Sequence, residues 1–496
     1  MRIVILGGGS SGWMSASLLA RLMGNQLDIT LVESEHIGTI GVGEATIPPI
    51  THFNKVLGID ENTFIQKTNG TFKLGIEFVG WKDPTSSYMH AFGQIGKDMG
   101  LAPFHHNWLN ARSNGYKNDF WHFSLNYQAA KAGKFQPLPR IPNTRLPGIV
   151  HAYHFDAGLY AQYLQTLSTA WGVKRIEGEV EHVSLNKENG EITALRLKSG
   201  QVVEGDFFID CSGFKGVLIS EALKTGYEDW RHWLPCDRAL AVPTENTSDI
   251  PPYTQSIAHQ AGWQWRIPLQ HRTGNGLVYC SDYLDDNSAT ELLLGQLNTN
   301  VIGTPKPIKF VTGRRVKQWH KNCLAIGLSS GFLEPLESTS LHLVQSGLVR
   351  FMKLLPNKSN YHAAEREFNR QSEVEFTRIR DFIILHYVLN NRNEPFWKRC
   401  RDMPIPDSLA HKIALFKATG QVFREQDELF TDVAWHQVML GQGLMPEACH
   451  PLAEALSGSQ TSDLFSSLET LINATVADMS EHTAYIQQYC RMDNPR

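Results

Sequence analysis

Ile3–Leu6 is a short, unbroken apolar run, the pattern of a parallel strand buried on both faces. Ser15–Leu22 then carries apolar residues at helical spacing, and Leu27–Val32 is a second apolar run. The N-terminal stretch therefore predicts strand, turn, helix, strand, a βαβ opening. From Gly178 to Asp210 the period shortens. Gly178–Leu195 and Leu197–Val203 have the texture of hairpin strands, with turn signals at Asn189-Gly190 and Ser199-Gly200. Phe207–Ile209 is another buried strand running into Cys211-Ser212-Gly213, and Tyr253–Leu284, Lys309–Gln318 and Leu324–Ile326 are strand-rich. Beyond about residue 340 the pattern turns helical. Ala363–Leu389 is one long amphipathic stretch, Pro356, Pro404 and Pro406 punctuate the region, and the tail from Leu452 is helical. No internal repeat or low-complexity linker interrupts the chain. The layout predicted is an α/β nucleotide-binding body assembled from discontinuous segments, with a mainly helical C-terminal part packed on it.

Length and composition narrow the class. The 496 residues are enough for two or three packed units, and 42% hydrophobic with 19% charged residues is an ordinary globular balance. A net charge of −4, without a dense basic run, argues against nucleic acid. The seven cysteines lie far apart with no C-x-x-C pair, which suits reduced thiols in a cytosol rather than zinc or a redox dithiol. No charged leader precedes the first strand and no apolar run of about 18 residues occurs, so a cytoplasmic protein free of membranes is expected. His105-His106, His151 and His154 lack metal-ligand spacing, and no metal is expected.

Gly7-Gly8-Gly9-Ser10-Ser11-Gly12 matches G-x-G-x-x-G and sits between the first strand and the first helix. Gly7 allows the tight turn, Gly9 lets backbone approach a pyrophosphate, and Gly12 permits close helix packing. The helix start at Ser10 offers free N–H groups to phosphate. Glu33 ends the second strand about 20 residues further on, where a carboxylate binds ribose hydroxyls. A glycine-rich turn without a ligand is the bland alternative, but strand, glycines, helix, strand and acid all fall in order. The motif alone does not choose between NAD and FAD.

Several further blocks make that choice, because together they resemble the flavin-dependent tryptophan halogenase family. Gly7–Trp13, with tryptophan directly after the last motif glycine, is similar to its N-terminal signature. Gly41-Val42-Gly43-Glu44-Ala45-Thr46-Ile47-Pro48 is similar to the block along the flavin, and Lys73-Leu74-Gly75-Ile76 to the block carrying an essential lysine. Tyr153–Asp156 and Asp210–Phe214 match other FAD-domain blocks. Trp263-Gln264-Trp265-Arg266-Ile267-Pro268 fits W-x-W-x-I-P, and Phe332–Thr339 fits the block with a catalytic glutamate. The resemblance spans most of the first 345 residues. It implies a Rossmann-like FAD-binding body of the glutathione-reductase/aromatic-hydroxylase type over 1–345, with substrate-side segments inserted around 85–150, and a mainly helical substrate region over 346–496.

The resemblance also implies a chemistry: reduced FAD, O2 and a halide ion generate hypohalous acid, which travels to a separate pocket and halogenates an electron-rich ring. Lys73 is carried over as the residue receiving it, either as an ammonium hydrogen-bonding the acid or as an amine forming a haloamine. Glu337 is carried over as its partner, polarising the acid or taking the ring proton. Without the surrounding block Lys73 would be a solvated lysine starting a strand, and Glu337 an acid near a helix start. Thr339 and Ser340 take the halide-binding place. Ser340 departs from the glycine usual there, which leaves chloride and bromide both open with a lean to bromide. Glu44, Ala45, Leu328 and Leu341 are expected at the flavin and Val180 at the adenine. Trp263 and Trp265 wall off the flavin from organic substrate. No second nucleotide motif is seen, so reduced FAD is expected from a separate NAD(P)H-dependent flavin reductase. The ring is expected to be indole-like, with tryptophan, free indole and other aromatics all open. His90–Phe92 and Trp435–Pro451, including Gly441, Gly443 and Pro446, are the candidate specificity segments. Monomer and homodimer are both left open. The rival readings are an FAD-dependent aromatic monooxygenase, which gains nothing from Lys73, and a non-catalytic flavin-binding scaffold.

Overall fold

In the computed structural model, residues 1–36, 43–247, 249–355 and 361–492 are described. Gly41, Val42 and Pro356 lie outside them. The predicted opening is present as strand Arg2–Leu6, helix Ser10–Met23 and strand Asp28–Glu33. These belong to a six-stranded sheet in the order Trp319–His320, Cys323–Ala325, Phe207–Asp210, Arg2–Leu6, Asp28–Glu33, Lys174–Glu177. All its pairings are parallel except that of Trp319–His320 with Cys323–Ala325. The apolar runs of the sequence follow from this, since both faces are covered.

A second, seven-stranded sheet runs Lys306–Lys309, Arg238–Thr244, Thr273–Tyr279, Gly262–Pro268, Thr254–His259, Gly75–Val79, Ser87–Ala91. Glu44–Ala45, Ala152–Phe155 and Thr71–Lys73 form a separate small sheet that pairs Lys73 with Ala152. The stretch expected as hairpins is three strands, Val180–Leu185, Ile192–Leu197 and Val202–Glu204. They are joined by turns near Asn189-Gly190 and Ser199-Gly200, as expected, and each pairs antiparallel with its neighbour in sequence. Lys309–Gln318 is instead broken: Lys306–Lys309 edges the large sheet, while Gly313–Arg315 pairs elsewhere, with Tyr227–Asp229 and Gly331–Phe332.

The C-terminal part is helical, led by Ser340–Lys353 and the long helix His362–Val388, then Asp407–Thr419, Asp432–Gly441 and Gly458–Asp478. These helices do not form a core of their own. Phe382 and Ile383 of the long helix, and Trp435 and Met439 of Asp432–Gly441, pack in one apolar cluster with Phe78, Trp81 and Trp263 of the large sheet. Burying that shared surface fixes the helices on the sheet and so fixes what they carry. Among the described residues no helix is long and apolar enough to cross a membrane.

Candidate active site

The glycine loop closes one end of a cavity of about 1050 Å³. Gly7 has φ +115°, a conformation open to glycine, and a Cβ there would stand 2.3 Å from the Cys211 carbonyl oxygen. A Cβ on Gly12 would lie 1.8 Å from the Gly7 oxygen, so that glycine seats the helix on the strand. A Cβ on Gly8 would meet Glu33 Oε2 at 1.4 Å. The second glycine of the motif is therefore packed directly against the acid expected at the ribose. Glu33 Oε1 accepts from Arg175 Nε at 2.5 Å, and the same guanidinium donates to Glu35 and Glu177. Gly9 is the contrast: nothing lies within 4 Å of its would-be Cβ, which would project into the cavity itself. A glycine bend, a free helix start and a facing carboxylate fit a dinucleotide such as FAD.

Gly7, Gly9, Ser10, Trp13, Glu33, Glu44, Ala45, Val180, Leu328 and Leu341 line this cavity, as do Trp263, Trp265, Ile267 and Ser340. Gly12, Pro268, Lys73, Glu337 and Thr339 do not. Burial, with help from Asp156, pushes the Glu44 carboxyl up to about 7. Trp263 Nε1 donates to Glu334 Oε2 at 3.0 Å, and the Tyr387 hydroxyl donates to the same oxygen at 2.6 Å. Both indoles of the W-x-W pair are thus fixed in the cavity wall, Trp265 by its ring packing on Gly276.

Across that wall lies a second, drier place. Lys73 is fully buried at the end of its strand; its Nζ donates to Ser338 Oγ at 2.7 Å and stands 5.5 Å from the centre of the Phe92 ring. Burial pulls the ammonium down to about 7, against the opposing charge of Glu337. The loop between the two places is a short turn, Pro335–Glu337, followed by Ser338 at φ +57° and Thr339, which caps the helix Ser340–Lys353. That left-handed serine costs on the order of 1 kcal/mol. It lets one residue line the flavin-side cavity and still accept from Lys73 on the other side. Thr339 Oγ1 is buried without a partner among the described residues, beside the N–H groups of the helix start.

Glu337 is also fully buried. Its Oε2 lies 2.8 Å from His90 Nδ1, and its Oε1 2.8 Å from His386 Nε2. Burial pushes its carboxyl up, but the charge of His90 and the contacts of both imidazoles outweigh that and hold it at about 2. His90, Phe382, Phe430 and Trp435 pack as an aromatic cluster next to it. Phe382 stacks on Phe430 at 3.8 Å and meets Trp435 edge-on at 4.9 Å, while His90 is 5.7 Å from Phe382. Gln437, next along the helix from His436, accepts from the Ala91 amide and donates to its carbonyl, stitching that helix to the His90 strand.

Sequence reasoning passed over Ser338, Tyr88 and His386, and had His90 only within a specificity segment. Strand alternation could have paired Tyr88 with His90 on one face. For His386, inside an apolar helix run, no local signal exists.

The whole chain compares with one family. The family model described as tryptophan halogenase matches residues 2–458. Tryptophan 6-halogenase ThaL of Streptomyces albogriseolus is 32% identical over 90% of this chain and 90% of its own. Tryptophan 7-halogenase RebH of Lentzea aerocolonigenes is 32% identical over 91% of each. A flavin-dependent halogenase from Xanthomonas campestris superposes with TM-score 0.97 at 45% identity, covering 100% of this chain and 99% of that one. BrvH, a flavin-dependent halogenase from Brevundimonas sp. BAL3, gives 0.95 at 43% identity over 98% and 99%.

Proposed function

Because the chain belongs to the tryptophan halogenase family of flavin-dependent enzymes, we propose that it halogenates a small, electron-rich ring of indole type, with Lys73 presenting the halogen and Glu337 as its carboxylate partner. One observation carries this reading: Lys73 and Glu337 lie behind the Pro335–Leu341 loop, out of the cavity that Leu336, Ser338 and Ser340 line. A hydroxylase needs its substrate at the flavin. A buried lysine and carboxylate beyond a wall suit a small oxidant that leaves the flavin and is caught elsewhere.

Bound reduced FAD, with O2 and halide, supplies that oxidant. The protein's residues do the rest. Helix N–H groups at Thr339 and Ser340 hold the halide, as helix N-termini hold anions. Trp263 and Trp265 keep the ring away from the flavin. The Lys73 ammonium donates a hydrogen bond to hypohalous acid and polarises it. The ring, held beside His90, Phe382, Phe430 and Trp435, attacks the halogen as the halogen–oxygen bond breaks; the hydroxide leaves as water with a proton from the Lys73 ammonium, and Glu337 takes the displaced ring proton. Phe382, Phe430 and Trp435 make the cluster mainly aromatic, which favours a neutral indole. A separate NAD(P)H-dependent flavin reductase supplies the reduced FAD. The Ser340 side chain, beside the halide place, favours bromide, the more easily desolvated and oxidised ion.

The test is an assay with flavin reductase, NADH, FAD, equimolar chloride and bromide, and a panel of indoles, read by mass spectrometry. Lys73→Ala is expected to lose product by at least about 100-fold while oxidising reduced FAD at the parental rate. Undiminished product from Lys73→Ala would remove the lysine from the reaction. A chloride-dominated mixture from the parent would overturn the halide assignment.

A further inference from the structure

Glu337 has a problem that its burial creates. A carboxylate taken wholly out of water tends to take up a proton, and a neutral acid there could neither receive the ring proton nor support the Lys73 charge. The groups facing it come from three elements: Lys73 from its strand, His90 from Ser87–Ala91, and His386 from the long helix. Behind His386 stands Tyr88, whose hydroxyl is 2.7 Å from His386 Nδ1. Tyr88 is wedged in place: a Cβ on Gly441 would lie 2.4 Å from its ring, and Phe78 stacks on its other side at 5.0 Å.

The protonation pattern follows from these contacts. Burial and the charge of Glu337 raise the Tyr88 phenol well above its ordinary value, so it stays protonated and is a donor. Its O–H donates to His386 Nδ1, which leaves the neutral imidazole carrying its proton on Nε2. That nitrogen faces Glu337 Oε1 at 2.8 Å, close though not aligned as a linear hydrogen bond. His90 occupies the other oxygen. We propose that Tyr88 and His386 are positioning residues: Tyr88 fixes the tautomer of His386, and His386 keeps Glu337 charged and aimed beside Lys73. The arrangement matches the orienting partners that fix ligand and base histidines elsewhere. It rests on the reading of Lys73 and Glu337 as the reacting pair.

The experiment uses the full-length enzyme with FAD and flavin reductase, following product and FADH2 oxidation across pH for His386→Leu, His386→Gln and Tyr88→Phe. His386→Leu is expected to lose about 100-fold in kcat, with the acidic limb of the pH profile brought up to above about pH 5, where the fold is still intact, and KM within about threefold. His386→Gln keeps an N–H donor and is expected to recover at least about tenfold of that loss. Tyr88→Phe, which removes a single oxygen, is expected to lose about tenfold and shift the same limb less. If His386→Leu does not fold, Tyr88→Phe and His386→Gln decide. Equal losses in Leu and Gln variants with an unmoved acidic limb would reduce His386 to packing and overturn the proposal. Glu337→Gln in the same assay separates the layers. Full activity there would sink the Glu337 assignment, whereas an inactive Glu337→Gln with parental Tyr88→Phe and His386 variants would sink the positioning role alone.

Discussion

Burial takes the Lys73 ammonium out of water, and Glu337 restores part of the loss, leaving the group titrating at about 7. On the role proposed for Lys73, the direction of the pH dependence follows. Below that value the side chain is an ammonium that can hydrogen-bond hypohalous acid; above it the neutral amine prevails. Product formed per FADH2 oxidised in single turnovers with pre-reduced FAD is therefore expected to fall by about tenfold one pH unit above 7. A yield that climbs through the same range would assign the reaction to the amine instead. Lys73 and Glu337 stood out in the sequence as candidates only through the blocks around them, because an isolated lysine or glutamate carries no spacing that separates a solvated group from a buried one. Ser338 stayed hidden for a different reason. Serine seldom adopts a left-handed conformation, and the turn that forces it here follows from how Pro335–Glu337 and the next helix meet.

At the scale of elements, the glycine loop separates binding from folding. Gly9 faces open cavity and Gly12 faces the Gly7 backbone. Gly9→Ala is expected to leave the thermal midpoint of the FAD-free protein unchanged and to weaken FAD binding by about tenfold or more. Gly12→Ala must push helix from strand and is expected to lower the midpoint by several degrees even without FAD. Thermal melts and flavin-fluorescence titrations measure both, and a Gly9→Ala protein binding FAD like the parent would refute the cradle. This element was legible because strand, turn, helix and acid are local and sequential. The hairpins of Val180–Glu204 were legible because each strand pairs with its neighbour across a local turn, whereas Lys309–Gln318 was misdrawn because alternation does not say which partner a strand takes. Gly313–Arg315 leaves the large sheet for a pairing with Tyr227–Asp229, more than eighty residues earlier.

At the scale of the molecule, what the sequence hid was convergence between distant segments. His105 and His106, on helix Phe104–Ser113, pack with ring centres 4.0 Å apart and planes tilted by 39°, and His436, on Asp432–Gly441, packs on His105 at 4.0 Å and 33°, a tilted stack of three. His105 bonds the Gly420 carbonyl, His106 accepts from the His450 amide, and neither nitrogen of His436 has a partner among the described residues. Burial, with mutual repulsion, pulls them down to about 2, 4 and 3 respectively. The sign is that of a depressed base. Below the unfolded value near 6.5 the unfolded chain binds protons that the folded stack refuses, so the stability is complete above about 6.5 and is lost as pH falls toward 4 and below. At pH 5 each such histidine costs about 2 kcal/mol, and against a total of roughly 5–15 kcal/mol three of them matter. His154 and His482, also buried and depressed, add to the same slope. The helix that carries His436 also carries Trp435 of the aromatic cluster and Gln437, which ties the helix to the His90 strand, so acid is expected to loosen the proposed acceptor site as the stack charges. Urea midpoints at pH 7.5 and pH 5 measure the effect. His436→Phe keeps an aromatic ring and removes one titrating group, and it is expected to narrow the difference between the two pH values by roughly 2 kcal/mol. An unchanged difference would mean that the acid sensitivity arises elsewhere than in this stack.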